Sequence, residues 1–220
     1  MKLVADRFKQ ITEGGNEGYE QLAIMYMLLQ KKMAELARRA AIFEKRYEIM
    51  KAENFKDGLT GIPNNNGYLN FISELKKLDI DSPITVVFVD MDDLKKYNDD
   101  PEKGHSWGDE GIKRVAKALD DTIRKDDFVF RKGGDEFCLL LYDADEKTAQ
   151  SVMDRASSEM VGINEERNSK TIFKMNIEFS YAFQMVEKDK ELDVAIEEAK
   201  GKADNRMQEK KKERRLLYEK

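Results

Sequence analysis

The stretch Arg131-Lys132-Gly133-Gly134-Asp135-Glu136-Phe137 constrains the fold of this 220-residue chain more than any other. Two adjacent glycines sit between Asp127 to Lys132, which mixes β-formers with charge, and an apolar run from Phe137 to Tyr142. That order predicts strand, tight turn, strand, because glycine reaches positive φ without steric cost and so closes a hairpin. Glycines at the tip also let a bulky ligand approach the backbone. Asp135 and Glu136 follow the turn directly and abut the apolar strand. Charge there is costly unless water or a cation neutralises it. These residues alone leave open a solvated surface hairpin and a cation-binding turn.

A second acidic segment adds to the first. Ile84 to Met91 is a β-branched, nearly continuous apolar run that ends in Asp90-Met91-Asp92. Such a run predicts a central strand covered on both faces. Asp90 and Asp92 lie two residues apart and point to the same face of an extended chain. Acids at a strand end and at a hairpin turn can together make one hard-oxygen cation site, the kind Mg²⁺ prefers. His105 is the only histidine and Cys138 the only cysteine, which excludes a zinc site of the Cys/His type.

Length is enough for one sizeable domain and an extension. No apolar run is long enough to cross a bilayer, and Met1 to Asp6 turns polar too soon for a signal peptide. One cysteine fits a reducing cytosol, so a cytoplasmic location is expected. The net charge of −5 gives no basic surface for nucleic acid. An acidic protein that holds a polyphosphate must gather cations locally, and Lys95, Lys96, Lys211 and Arg215 are the candidates. Lys210 to Arg215 reads equally as a solvated basic tail.

Residues 1–13 are predicted to form a short amphipathic helix, and Gly14-Gly15-Asn16-Glu17-Gly18 breaks it. A long helix follows. Leu22, Tyr26, Leu29, Met33, Leu36, Ala40, Phe43, Tyr47 and Met50 alternate by four and three, an a/d stripe that predicts a coiled coil and a homodimer through it. The Gly-, Pro- and Asn-rich stretch Asp57 to Asn66 divides an N-terminal helical segment, 1–55, from a domain at 56–220. That domain reads as helix (Gly67–Leu78), strand (Ile84–Met91), helix (Gly108–Arg124), the hairpin, helix (Glu146–Arg167), strand (Phe173–Val186) and helix (Leu192–Lys212). The order predicts an α/β (α+β) fold with a central mixed sheet flanked by helices.

These motifs, in this order, resemble the GGDEF domain of diguanylate cyclases, from Asp57 to Arg215. The resemblance rests on Asp57-Gly58-Leu59-Thr60-Gly61-Ile62-Pro63-Asn64, Asp90 to Asp99, Gly104-His105-Ser106-Trp107-Gly108-Asp109, the hairpin, and Lys211 with Arg215. It implies a palm-like nucleotidyl-cyclase fold and condensation of two GTP into cyclic di-GMP with release of two pyrophosphates. It further implies two Mg²⁺ per site, with Mn²⁺ able to substitute, held by Asp90, Asp135, Glu136 and the Met91 carbonyl. Proton removal would fall to Glu136 or Asp135. Lys95, Lys211 and Arg215 match the phosphate-gripping positions, and Gly133, Gly134 and the Leu94 backbone would lie near the phosphates. Asn98 and Asp109 match the base readers, and their polar groups would reject a base that leaves them unpaired.

The chain departs from the family pattern in places. Two extra residues lie within Asp100-Pro101-Glu102-Lys103, Leu94 stands where Phe is usual, Asn65 replaces an Arg, and Tyr181 replaces a small residue. No metal ligand is lost. A degenerate module that binds GTP or cyclic di-GMP as a receptor is the alternative function, and a cyclase of relaxed base choice is a third. Arg124-Lys125-Asp126-Asp127 fits the family's Arg-x-x-Asp site for inhibition by cyclic di-GMP, with Arg155 as a second arginine. The same pair also reads as ordinary surface charge. No segment names the input signal or its sensor.

Overall fold

The computed structural model describes residues 17–78, 80–99, 104–171, 174–187 and 189–218, with the side chains of 17–19 and 213–218 outside the description. The helix expected at 1–13 and the longer loop at 100–103 therefore lie outside the described residues. The elements are α1 (Glu17–Lys51), a 3₁₀ turn (Glu53–Phe55), α2 (Asn65–Leu75), β1 (Ile84–Met91), α3 (Leu94–Asn98), α4 (His105–Thr122), β2 (Phe128–Gly133), β3 (Glu136–Tyr142), α5 (Glu146–Ser169), β4 (Phe179–Met185) and α6 (Leu192–Tyr218). Two compact units, 1–41 and 42–220, divide the chain.

The four strands form one sheet in the order β2-β3-β1-β4. All three pairings are antiparallel, which corrects the mixed sheet expected from the element order. β1 and β2 do run parallel, as a strand–helix–strand crossover requires. The hairpin folds β3 back between them, so every neighbour is antiparallel. This is the split βαβ arrangement.

All eight β1 residues are buried. Alternate side chains face opposite layers. Val87, Val89 and Met91 join Ile112, Val115 and Leu119 of α4 and Val152, Met153 and Ala156 of α5. Ile84 and Val86 join Phe128, Phe130, Tyr68, Phe71 and Ile196 on the other face. There Tyr68 stacks on Phe130 and Phe71 on Phe128, with ring centroids 4.2 and 4.1 Å apart. Truncating any one of these rings to Ala would cost about 3–5 kcal/mol. Ile42 and Ile49, each 1% exposed, belong to the same layer. The last turns of α1 are thus core, upstream of the division expected at 55/56.

Earlier along α1 several large apolar residues are exposed. Leu22, Leu29, Met33 and Leu36 are 43–57% exposed. Among the described residues no helix is long and apolar enough to cross a membrane.

β4 begins at Phe179, six residues after the strand expected from Phe173. The chain from Met175 to Glu178 lies outside β4, and the backbone groups of Met175 and Ile177 pair with side chains. Asn164 of α5 donates to the Ile177 carbonyl at 2.8 Å and accepts from its N–H at 3.3 Å. Asn168 does the same for Met175, at 2.8 and 3.0 Å. A propensity pattern cannot distinguish backbone paired in a sheet from backbone paired to amide side chains.

Candidate active site

The hairpin turns at Gly133 and Gly134, with φ of 153° and 54°. The second value lies in the left-handed region that side chains avoid. Arg131 closes the turn from below. Its Nε and Nη2 donate to the Gly134 carbonyl at 3.0 and 2.6 Å, and its Nη1 to both Asp57 carboxylate oxygens at 2.9 and 3.1 Å. Asp57 also accepts from the Thr60 N–H and hydroxyl, at 2.9 and 2.8 Å. Burial pushes the Asp57 carboxyl up, but the bonds from Thr60 and Arg131 outweigh it and leave the carboxyl below its ordinary value. One guanidinium therefore fastens the Asp57–Thr60 motif to the glycine turn. Sequence reasoning gave Arg131 no role. The one available signal was that a planar fork preceded two glycines.

The turn in turn meets β1. The Met91 N–H donates to the Asp135 carbonyl at 3.1 Å, and Asp90 pairs in register with Glu136 on one side and Ser180 on the other. Asp90, Met91, Asp135 and Glu136 are thereby brought to one sheet end. Asp90 is 9% exposed. Desolvation, with the nearby Asp135 and Asp92 charges, pushes its carboxyl up to about 6 against the opposing pull of Lys211. The Lys211 ammonium is hydrogen-bonded to Asp90 and lies 3.4 Å from Asp92. Ser180 donates to Asp92 at 2.7 Å. Glu136 is paired with Lys132 at 3.1 Å, and the Lys132 ammonium lies 4.8 Å from the centre of the Phe88 ring. Lys211, expected at the phosphates, thus sits on the expected metal carboxylate. Arg215 lies on α6 with its side chain outside the described residues.

Among the described residues no three acidic, histidine or cysteine side chains converge tightly enough to hold a metal unaided. That donor set still fits Mg²⁺, which binds through one or two carboxylates and completes its shell with water and substrate phosphates. Asp90 fits such an ion well, being buried beside like charges with a lysine on it as counter-charge. Cys138 offers no alternative chemistry, since full burial pushes its thiol up to about 12.

α3 carries Leu94, exposed Lys95 and Asn98, and follows Asp93 in the left-handed conformation. The Asn98 side chain lies on Gly108 of α4. A Cβ there would meet the Asn98 Oδ1 at 2.0 Å and the Leu94 Cδ1 at 2.9 Å, so only glycine lets α3 and α4 approach this closely. Exposed Asp109 follows Gly108, which brings both expected base readers to one corner. Trp107 packs near Tyr97, ring centroids 6.4 Å apart.

The expected inhibitory residues fare differently. Asp127 is 2% exposed. Its two oxygens accept from the Arg124 and Tyr142 N–H groups, each at 2.9 Å. It closes the turn into β2. Burial pushes its carboxyl up despite those bonds. The Arg124 side chain is exposed, while its carbonyl accepts from Arg46 at 2.7 Å. Arg155 is exposed on α5 and reaches Ser151 at 3.3 Å.

Comparison with known proteins adds to this geometry. The family model "Diguanylate cyclase, GGDEF domain" matches residues 54–216. The probable diguanylate cyclase DgcJ of Escherichia coli K12 is 38% identical over 112 residues, half of this chain and 22% of that protein. The chain thus spans about a fifth of that relative's length. Among solved structures, Pseudomonas aeruginosa diguanylate cyclase SiaD, in complex with its activator SiaC, has a TM-score of 0.54 at 21% identity, covering 91% of this chain and 79% of that one. The coiled coil and GGDEF domain of DgcB from Caulobacter crescentus, in complex with c-di-GMP, has a TM-score of 0.51 at 19% identity, covering 84% and 92%. These two likenesses fix the fold.

Proposed function

The chain belongs to the GGDEF-domain diguanylate cyclase family, and on that premise we propose that it condenses two GTP molecules into cyclic di-GMP and two pyrophosphates. In each half-reaction a ribose 3′-oxygen bonds to the α-phosphorus of the other GTP. The bond from that phosphorus to the β-phosphate oxygen breaks, and the 3′ proton passes to a base. The observation that carries this reading is the Met91 N–H to Asp135 carbonyl bond, which closes the glycine turn onto the acidic end of β1.

Asp90, Asp135, Glu136 and the Met91 carbonyl would hold the divalent cations. Bound there, Mg²⁺ lowers the 3′-hydroxyl pKa and neutralises charge building on the phosphates. Glu136 or Asp135 takes the proton. Lys95, Lys211 and Arg215 grip the phosphates, which requires the Lys211 ammonium to leave Asp90 as substrate and cation arrive. Its place on Asp90 keeps that acid neutralised in the free protein. Asn98 and Asp109 select guanine, because Asp109 accepts from N–H groups that adenine lacks.

One domain supplies one GTP, so ring closure needs two domains facing each other, and a two-fold dimer is the simple arrangement. The exposed α1 stripe supports a homodimer that raises the effective concentration of the domains. The chain would act in the cytoplasm.

Incubation with Mg²⁺ and GTP, ATP or both, with products identified by mass, tests the reading. Cyclic di-GMP from GTP alone is expected. Bound but unturned GTP would make the protein a receptor, and mixed dinucleotides would remove the base selectivity. Removing residues 1–41, which leaves the buried Ile42 and Ile49 in place, should make specific activity fall steeply on dilution. Full specific activity at nanomolar protein would refute dimerisation through α1.

A further inference from the structure

α5 meets the extended segment before β4 through a matched ladder of side chains. Asn164 and Asn168 are four residues apart on the helix, and their partners Ile177 and Met175 are two apart on the extended chain. Four helical residues advance about 6 Å and two extended ones about 6.6 Å, so the spacings agree. Each amide donates to one carbonyl and accepts from the N–H of the same residue, as a neighbouring strand would. Arg114 of α4 locks both amides. It is 3% exposed, its Nη1 donates to the Asn164 and Asn168 oxygens at 3.2 and 3.4 Å, and its Nε donates to Glu110 at 3.0 Å.

The far side of the same segment touches the nucleotide corner. The Glu178 carbonyl accepts from the Asp92 N–H at 2.9 Å, at the exit of β1. The Asn176 carbonyl accepts from the Tyr97 hydroxyl at 2.8 Å. Tyr97 lies on α3, next to Asn98 and two residues after Lys95. Two amides, braced by the buried Arg114, on one side and two bonds on the other therefore converge on four residues of chain. A buried arginine that merely filled space would be expensive unless its partners fixed something.

We propose that Arg114, Asn164 and Asn168 are positioning residues for nucleotide recognition. They hold Met175–Glu178 in place, and that segment holds Asp92 and Tyr97, which set α3 with its base and phosphate contacts. The inference rests on the cyclase reading and extends it to residues about which the sequence motifs are silent.

Three variants test it: Asn164→Ala, Asn168→Ala and Tyr97→Phe. The last keeps the ring and removes only the contact to Asn176, so it stays informative even where Asn164→Ala fails to fold. Steady-state kinetics are measured with GTP and with inosine triphosphate, which lacks the 2-amino group, alongside thermal unfolding. KM for GTP should rise about tenfold with kcat within about threefold, and preference for GTP over inosine triphosphate should fall about fivefold. A lowered Tm with KM and preference unchanged in folded Asn168→Ala and Tyr97→Phe would reduce the network to packing and overturn the proposal. If the wild type makes no cyclic dinucleotide, the cyclase reading fails by itself. Equilibrium binding of a fluorescent GTP analogue then decides: tenfold weaker binding by the variants supports the positioning role, and unchanged binding overturns it.

Discussion

Two buried aspartates, at opposite ends of the sheet, solve the same problem in different ways. Asp127, before β2, gives its two oxygens to backbone N–H groups of Arg124 and Tyr142. Asp90, at the end of β1, has a lysine side chain for a partner and two further acids raising its pKa. Backbone donors stay as long as the fold does, so the Asp127 bonds are architecture. An ammonium on a flexible stem can be exchanged for another cation, so the Asp90 pairing is suited to a binding event. Burial alone distinguishes neither; the kind of partner does.

The widest test exchanges the acids one at a time. Asp90→Asn should lower cyclase turnover by about 100-fold or more, the scale seen when a transition-state electrostatic contact is removed. In metal-free buffer its unfolding temperature should be unchanged or higher. Activity within tenfold of wild type would remove Asp90 from the cation site. Asp127→Ala should do the opposite. It strands two buried N–H groups at a total of about 2–6 kcal/mol, read by urea titration, while turnover per folded molecule stays within about threefold.

A pH titration of stability sharpens the contrast. The Asp90 carboxyl titrates at about 6 when folded and at 3.8 in the reference state, so the folded protein binds the extra proton between those values. Its contribution is full below pH 3.8 and is lost as pH rises through about 6. Without metal, the stability difference between wild type and Asp90→Asn should therefore shrink or reverse in favour of the variant across that window. A flat difference would place the Asp90 pKa at its ordinary value.

The smallest effect concerns product inhibition. The exposed Arg124 can grip a guanine edge or a phosphate, whereas Asp127 is occupied at both oxygens. Arg124→Ala should relieve inhibition by cyclic di-GMP several-fold without lowering the initial rate, as Arg-to-ligand hydrogen bonds of about 1–3 kcal/mol would predict. Equal sensitivity in wild type and variant would leave the Arg124 turn with a structural role alone.

Much of the site was legible along the chain, because its chemistry sits in short contiguous motifs. Asp90 at the end of an apolar run and two acids after a glycine pair required only period and polarity, and β1 took the bounds its β-branched run predicts. The family resemblance carried the expected base readers, and Gly108 explains why Asn98 and Asp109 can share a corner. Less legible were features whose partners are far away in sequence. Arg131 reaches Asp57 across 74 residues and Lys211 reaches Asp90 across 121.

The sequence by itself determined the order of the four strands and the longer helices, though not the short α3, together with the burial of β1 on both faces and the acids at its end, since local periodicity and residue chemistry suffice for these. Tertiary structure alone decided that the sheet is antiparallel throughout, that the end of α1 is core, and that Lys211 sits on Asp90. It also decided which buried aspartate is fixed by backbone and which by an exchangeable charge. The physical reason is that desolvation and hydrogen-bond partners depend on what packs within a few ångströms, and those neighbours come from segments that no local pattern relates.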